Sequence, residues 1–198
     1  MSKHMAEINF EITCFEKGGP QNSDKALEIA KKYADQLNVK DIVVASTTGG
    51  TADKALEKFN PSEYNLMIVT HSYYFVNEKK RQEYDEKKLA ELKDSGAKVL
   101  SVTHAMSGIE RGIRISMNQW CFVDLMAKFL REQFSQGTKV CIEIASMVAD
   151  AGMIESLDRD ILCIAGTGRG ADTVCLIKPA PTSAFDKLRV RAILAKPL

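Results

Sequence analysis

The sequence predicts an α/β fold on a mainly parallel sheet, as a single domain over residues 1–198. Three observations predict it. Continuous apolar runs at 42–45, 66–69 and 161–165 read as strands covered on both faces. Segments of helical periodicity alternate with these runs. Two of the runs end in small hydroxyl- and glycine-rich loops, Ser46-Thr47-Thr48-Gly49-Gly50-Thr51 and Gly166-Thr167-Gly168-Arg169-Gly170. Open parallel sheets bind ligands outside the carboxyl ends of their strands, where such loops lie.

In chain order, residues 1–6 read as a loose terminus. Ile8, Phe10 and Ile12 alternate with polar residues, as in a half-buried strand. A turn at 16–22 precedes Ala26, Ile29, Ala30, Tyr33, Ala34 and Leu37, the stripe of an amphipathic helix capped by Asn22 or Ser23. The strand and loop-helix at 41–59 follow, and Asn60-Pro61 stops that helix. The strand at 66–69 ends at Thr70-His71-Ser72. Residues 78–94 are dense in charge and predict a solvated helix, with Glu83 and Lys87 at i, i+4. A strand at 98–102 ends at Thr103-His104. Residues 104–114 read as a long loop punctuated by glycine and carrying Arg111 and Arg114, of a length that is often functional.

A helix at about 118–134 carries a wide apolar face that includes Phe122, Met126, Phe129 and Leu130, with Trp120 in core or interface packing. That face suits a homo-oligomer or a buried core helix equally. A further helix follows Gly137 on the pattern Val140, Ile144, Met147, Val148, Ala151, and Gly152 closes it. Strands at 161–165, 174–178 and 188–194 complete the chain. The last two pair antiparallel, because 179–186 leaves no room for a crossover helix.

Lys plus Arg total 27 and Asp plus Glu total 26, a balance that carries no argument for nucleic acid or an anionic membrane as partner. Five cysteines without CxxC spacing, mostly in apolar runs, read as free thiols in a reducing compartment rather than a metal or disulfide framework. No apolar run approaches a membrane span, and the N-terminus has no signal-peptide core, so the expected location is cytoplasmic.

The expected site is the carboxyl edge of the sheet. Ser46 to Thr51 open a helix, where free N–H groups and the helix dipole favour a phosphate or carboxylate. Neither loop is a nucleotide signature: no Lys-Ser/Thr follows the first glycines, and the second misses the GxGxxG spacing. Arg169 suits a bidentate phosphate clamp. The alternative is that the glycines only make tight turns and Thr48 or Thr51 only caps a helix. His71, with Ser72 beside it, and His104 sit at strand ends, either as acid/base groups or as hydrogen-bond partners for loop carbonyls. Glu143 and Asp150, seven apart on one helix, are a poor metal signal and read as capping or surface residues.

Ser46-Thr47-Thr48-Gly49-Gly50-Thr51-Ala52, then Pro61, then Ile68-Val69-Thr70, resembles the C-terminal domain of pyruvate kinase over about residues 22–72. Thr48, Gly49 and Thr51 match that domain's T-x-S-G-x-S/T-A loop; Ser46 replaces its first threonine and Asn60-Pro61 its Arg-Pro turn. The remainder, including Gly166–Thr173 and Ala195-Lys196-Pro197, resembles stand-alone proteins of this fold. The resemblance implies a three-layer α/β/α sandwich with a mixed five-stranded sheet whose last strand is antiparallel. It implies phosphate recognition at Thr48, Gly49, Gly50 and Thr51, which in allosteric pyruvate kinases hold a phosphate of the sugar bisphosphate activator. It does not imply pyruvate kinase activity, since the catalytic barrel is absent. The expected function is binding of a phosphorylated small molecule, with FMN as one candidate beside Tyr73, Tyr74 and Phe75. The alternative is a small enzyme acting on a phosphorylated substrate through His71 or His104, or through a bound flavin.

Overall fold

The computed structural model describes residues 7–198, so the expected loose terminus at 1–6 lies outside it. Seven strands form one sheet: β1 (Thr13–Phe15), β2 (Asp41–Ala45), β3 (Asn65–Thr70), β4 (Lys98–Ser101), β5 (Ile161–Ala165), β6 (Thr173–Lys178) and β7 (Arg189–Pro197). Their spatial order is β1-β7-β6-β5-β2-β3-β4. The helices are α1 (Ser23–Leu37), α2 (Gly50–Lys58), α3 (Glu86–Asp94), α4 (Ile109–Met117), α5 (Phe122–Gln133) and α6 (Gln136–Asp150).

The sheet is parallel except around β6, which pairs antiparallel with both β5 and β7. The last two strands are therefore antiparallel to each other, as the short connection requires. The reversed strand is β6, however, because β7 runs parallel to β1. The five-stranded expectation gives way to seven; β2 to β6 alone make a mixed five-stranded sheet that ends on the reversed strand.

Alternation along each strand divides the core in two. Ile42, Val44, Leu66, Ile68, Leu162 and Ile164 face α1, α2 and α3. Val43, Met67, Val69, Ile161, Cys163 and Ala165 face α5 and α6. The strands are continuous apolar runs because both faces are covered.

Several expectations are corrected. The alternation of Ile8, Phe10 and Ile12 makes no strand: Ile8 and Ile12 are exposed, and pairing begins at Thr13. The charged run at 78–94 is helical only from Glu86, where the Asp85 carboxylate accepts from Lys88 N–H and fixes the start. Upstream, Tyr74 at φ 59° and the Asn77 side chain, which accepts from the N–H groups of Lys79 and Lys80, shape an irregular loop. The loop expected at 104–114 becomes α4 from Ile109. Asn22 precedes α1 without capping it, because its amide donates to Lys17 O instead. Ser23 is diverted too: its hydroxyl donates to Pro20 O and accepts from Ala171 N–H. Gly152 does close α6, at φ 64°.

Candidate functional site

Because β2, β3, β4 and β5 run parallel, their carboxyl ends meet at one edge. A cleft of about 480 Å3 opens there, lined by the turns after those strands and by one side of α6.

The turn after β2 contributes Ser46, Thr47 and Thr51 to the cleft. Ser46 Oγ accepts from Ala52 N–H at 3.2 Å, which ties the strand end to the first turn of α2. Among the described residues, the backbone N–H groups from Thr47 to Thr51 have no protein acceptor. Free donors in succession at a helix N-terminus are the kind of group that an anion satisfies. Gly49 is required by its conformation: at φ 107° it sits against Tyr84, and a Cβ there would lie 3.1 Å from the phenol. Thr48, Gly49 and Gly50 shape the turn without lining the cleft. Burial, and secondarily Asp53, pushes the Tyr84 phenol up to about 12.

The turn after β5 contributes Gly166 to Gly170. Two of its glycines answer to packing, in line with the tight-turn alternative. A Cβ on Gly166 would lie 2.5 Å from Gly170 O, and one on Gly170 would lie 2.2 Å from Pro20 Cα. Arg169 is different. It holds φ at 68°, a conformation that costs a side-chain-bearing residue about 1–2 kcal/mol. Strain of this kind gathers at binding sites. Its guanidinium lies 3.6 Å from Glu83 Oε1.

The floor of the cleft is a buried charge cluster. Lys139 Nζ lies 2.6 Å from Glu143 Oε2 and 3.4 Å from Ser107 Oγ. Met106 N–H donates to Glu143 Oε1 at 2.7 Å. His104 faces Glu143 Oε2 through Nδ1 and Thr70 O through Nε2, each at 3.1 Å. Both partners are acceptors, so making the two bonds together requires N–H at both ring positions. Burial alone would raise the Glu143 carboxyl; the His104 hydrogen bond and the Lys139 ammonium outweigh it and hold the group at about 2. Burial lowers Lys139, against the pull of Glu143. Arg131 of α5 also lines the cleft, and among the described residues it pairs with no carboxylate.

His71 lies at the cleft mouth. Its Nδ1 donates to Glu83 Oε2 at 2.6 Å, and its ring stacks on Phe75 with centroids 4.0 Å apart. Among the described residues Nε2 has no partner, so the ring offers a lone pair on the cleft side chain that Glu83 orients. Burial lowers His71 most; Glu83 opposes that and the nearby His104 adds to it.

The structure thus gathers Ser46, Thr47, Thr51, His71, His104 and the whole of Gly166–Gly170, and leaves Thr48, Gly49, Gly50 and Ser72 outside the cleft lining. Glu143 and Asp150 do not share a site. Glu143 is fully buried in the cleft floor, whereas Asp150 accepts from the N–H and hydroxyl of Thr182. Of the aromatic trio only Phe75 reaches the cleft; Tyr73 and Tyr74 are exposed. Glu83 was expected to pair with Lys87 on a wet helix face and is instead buried between His71 and Arg169. Lys139 had one signal, a second charge four residues from Glu143 on an otherwise apolar helix. Glu83 and Arg131 had none.

Among the described residues, no helix is long and apolar enough to cross a membrane, and no three His, Cys, Asp or Glu side chains are grouped to hold a metal ion. No protein-family model matches this chain.

Proposed function

We propose that this protein binds a phosphorylated small molecule in the cleft, without pyruvate kinase activity. The observation that carries the reading is the run of N–H groups without a protein acceptor from Thr47 to Thr51, in a turn whose two ends, Thr47 and Thr51, line a cleft that also holds Arg131, Lys139 and Arg169. Glu143 neutralises Lys139 and Glu83 faces Arg169 at 3.6 Å, so among the described residues Arg131 is the cleft cation with no carboxylate partner. The likeness to the pyruvate kinase C-terminal domain belongs to this proposal. Helices on both faces of the sheet, read as a three-layer sandwich, and the mixed unit β2–β6 support it.

FMN is one member of the ligand class. Its phosphate suits the two turns, while its ring would have Phe75 as aromatic neighbour, already engaged by His71 and Arg111. A smaller phosphorylated metabolite therefore fits the lining better than a flavin.

A second reading, a small enzyme, rests on His71. A carboxylate on Nδ1 with a free Nε2 is the arrangement of a general base. His104 does not share that role, because both its nitrogens are taken.

Thermal shift and calorimetry with inorganic phosphate, a panel of phosphorylated sugars, and FMN test the proposal, after absorbance and native mass spectra of the purified protein. Phosphate-bearing probes raise the Tm, and Arg131→Gln weakens their binding at least tenfold while the fold is retained. Indifference of the wild type to every phosphate-bearing probe would overturn the reading. For a probe that is turned over, His71→Asn stops turnover and spares binding.

A further inference from the structure

An amphipathic helix is stable when its apolar stripe is covered. The nine-residue helix α4 has no buried residue, and its stripe begins at Ile109, 84% exposed, and ends at Met117, 71% exposed. Its neighbour α5 has two apolar stripes. Val123, Met126, Ala127 and Leu130 pack onto the core. Phe122, Leu125 and Phe129, at i, i+3 and i+7, point away from it, with Phe122 77% and Phe129 59% exposed. Trp120 joins the two helices at 43% exposure.

We propose that the outer face of α4 and α5 is the interface at which a second copy of this chain docks, related to the first by a two-fold axis. Area is the first argument. Ile109, Met117, Trp120, Phe122, Leu125 and Phe129 are 38–84% exposed, and six large apolar side chains so open present more than the few hundred Å2 that a monomer leaves as one apolar patch, toward the roughly 800 Å2 that one partner contributes to a standard specific interface.

Charge is the second argument. A two-fold interface sets a surface against itself, so a patch of one sign repels its copy. Here Arg111 lies over the Phe75 ring and Arg131 reaches the cleft, and the other charges of the two helices are engaged within the chain. Glu110 accepts from the N–H groups of Val123 and Asp124, Arg114 pairs with Asp124, and Lys128 pairs with Glu132. The cations of Arg114 and Lys128 lie over the Trp120 ring, so the exposed apolar side chains have engaged charges beside them. The interface stands independently of the ligand reading, although Arg131, on the same helix, reaches the cleft.

Sedimentation velocity of the full chain from about 1 to 100 µM tests the proposal, with Phe122→Glu/Phe129→Glu as the variant. The wild type sediments as two chains. The variant sediments as one, its dissociation constant raised at least 100-fold, as truncated aromatic hot spots imply. Circular dichroism shows the variant folded. Hydrogen exchange on the wild type needs no variant: amides of α4 and α5 gain protection with concentration, and those of α1 do not. A wild type that stays a single chain at 100 µM overturns the proposal, as does a dimer that survives the double substitution. Cosedimentation of a monomeric wild type with anionic phospholipid vesicles would assign the face to a membrane surface and overturn it too.

Discussion

Lys139 Nζ lies 2.6 Å from Glu143 Oε2, and the two side chains are 2% and 0% exposed. An ion pair so deeply placed gains little net stability over an apolar pair, but breaking it strands a charge. Here the carboxylate serves three groups, since His104 and the Met106 N–H share it.

Glu143→Gln is therefore expected to cost about 3–5 kcal/mol, the range for a buried pair that loses one partner. Urea unfolding measures it as a lower midpoint. Lys139→Met added to that variant costs less than the sum of the single changes, because the stranded ammonium is removed.

The same carboxylate makes the protein acid-sensitive. The folded value of about 2 lies below the ordinary 4.5, so on acidification the unfolded chain takes up the proton first. The contribution is complete above pH 4.5 and is lost between there and pH 2, about 3 kcal/mol in all. Stability measured across this window falls in the wild type, and Glu143→Gln lacks that part of the slope.

His71 titrates below the ordinary 6.5, because burial outweighs the Glu83 hydrogen bond. The unfolded chain then binds the proton first, so this group subtracts stability as pH falls through 6.5. Imidazole NMR follows the titration directly. Glu83→Gln removes the opposing charge and moves it lower still; an upward move would show that Glu83 does not act on the ring.

Two helical glycines that look alike in sequence should behave differently. A Cβ on Gly137 would lie 2.1 Å from Thr173 Oγ1, whereas one on Gly50 meets nothing within 4 Å. Gly137→Ala is expected to cost about 1–3 kcal/mol by overpacking, and Gly50→Ala to be neutral or slightly stabilising. Thermal melts separate the two.

Arg169→Gly relieves the left-handed backbone and is expected to raise stability by up to about 1 kcal/mol. It also removes a guanidinium from the cleft, so affinity for a phosphate-bearing probe falls in calorimetry. A loss of stability instead would mean that the contact with Glu83 outweighs the strain.

The readable part of the chain was local. The stripe from Ala26 to Leu37 lies within α1 and ends where it ends, and the apolar run at 161–165 placed β5. Parallel strands, legible from their unbroken apolar runs, were enough to bring Ser46, His71, His104 and Arg169 to one edge, since such strands deliver their carboxyl ends together. What was misread depends on partners far away in sequence. Ile8 and Ile12 alternate like a strand but find no neighbour, because β7 pairs only from Thr13. Glu83 has the spacing of a surface pair with Lys87, yet its burial beside His71 and Arg169 was decided by the fold of the 71–85 loop.

Sequence by itself determined the α/β class, most elements and the edge where the polar strand ends gather. Each follows from periodicity, which is a property of neighbours along the chain. Tertiary structure alone decided that Glu143 would be a buried carboxylate between Lys139 and His104, and that α4 and α5 would leave an apolar face uncovered. The physical reason is that burial and charge pairing depend on which side chains meet in space.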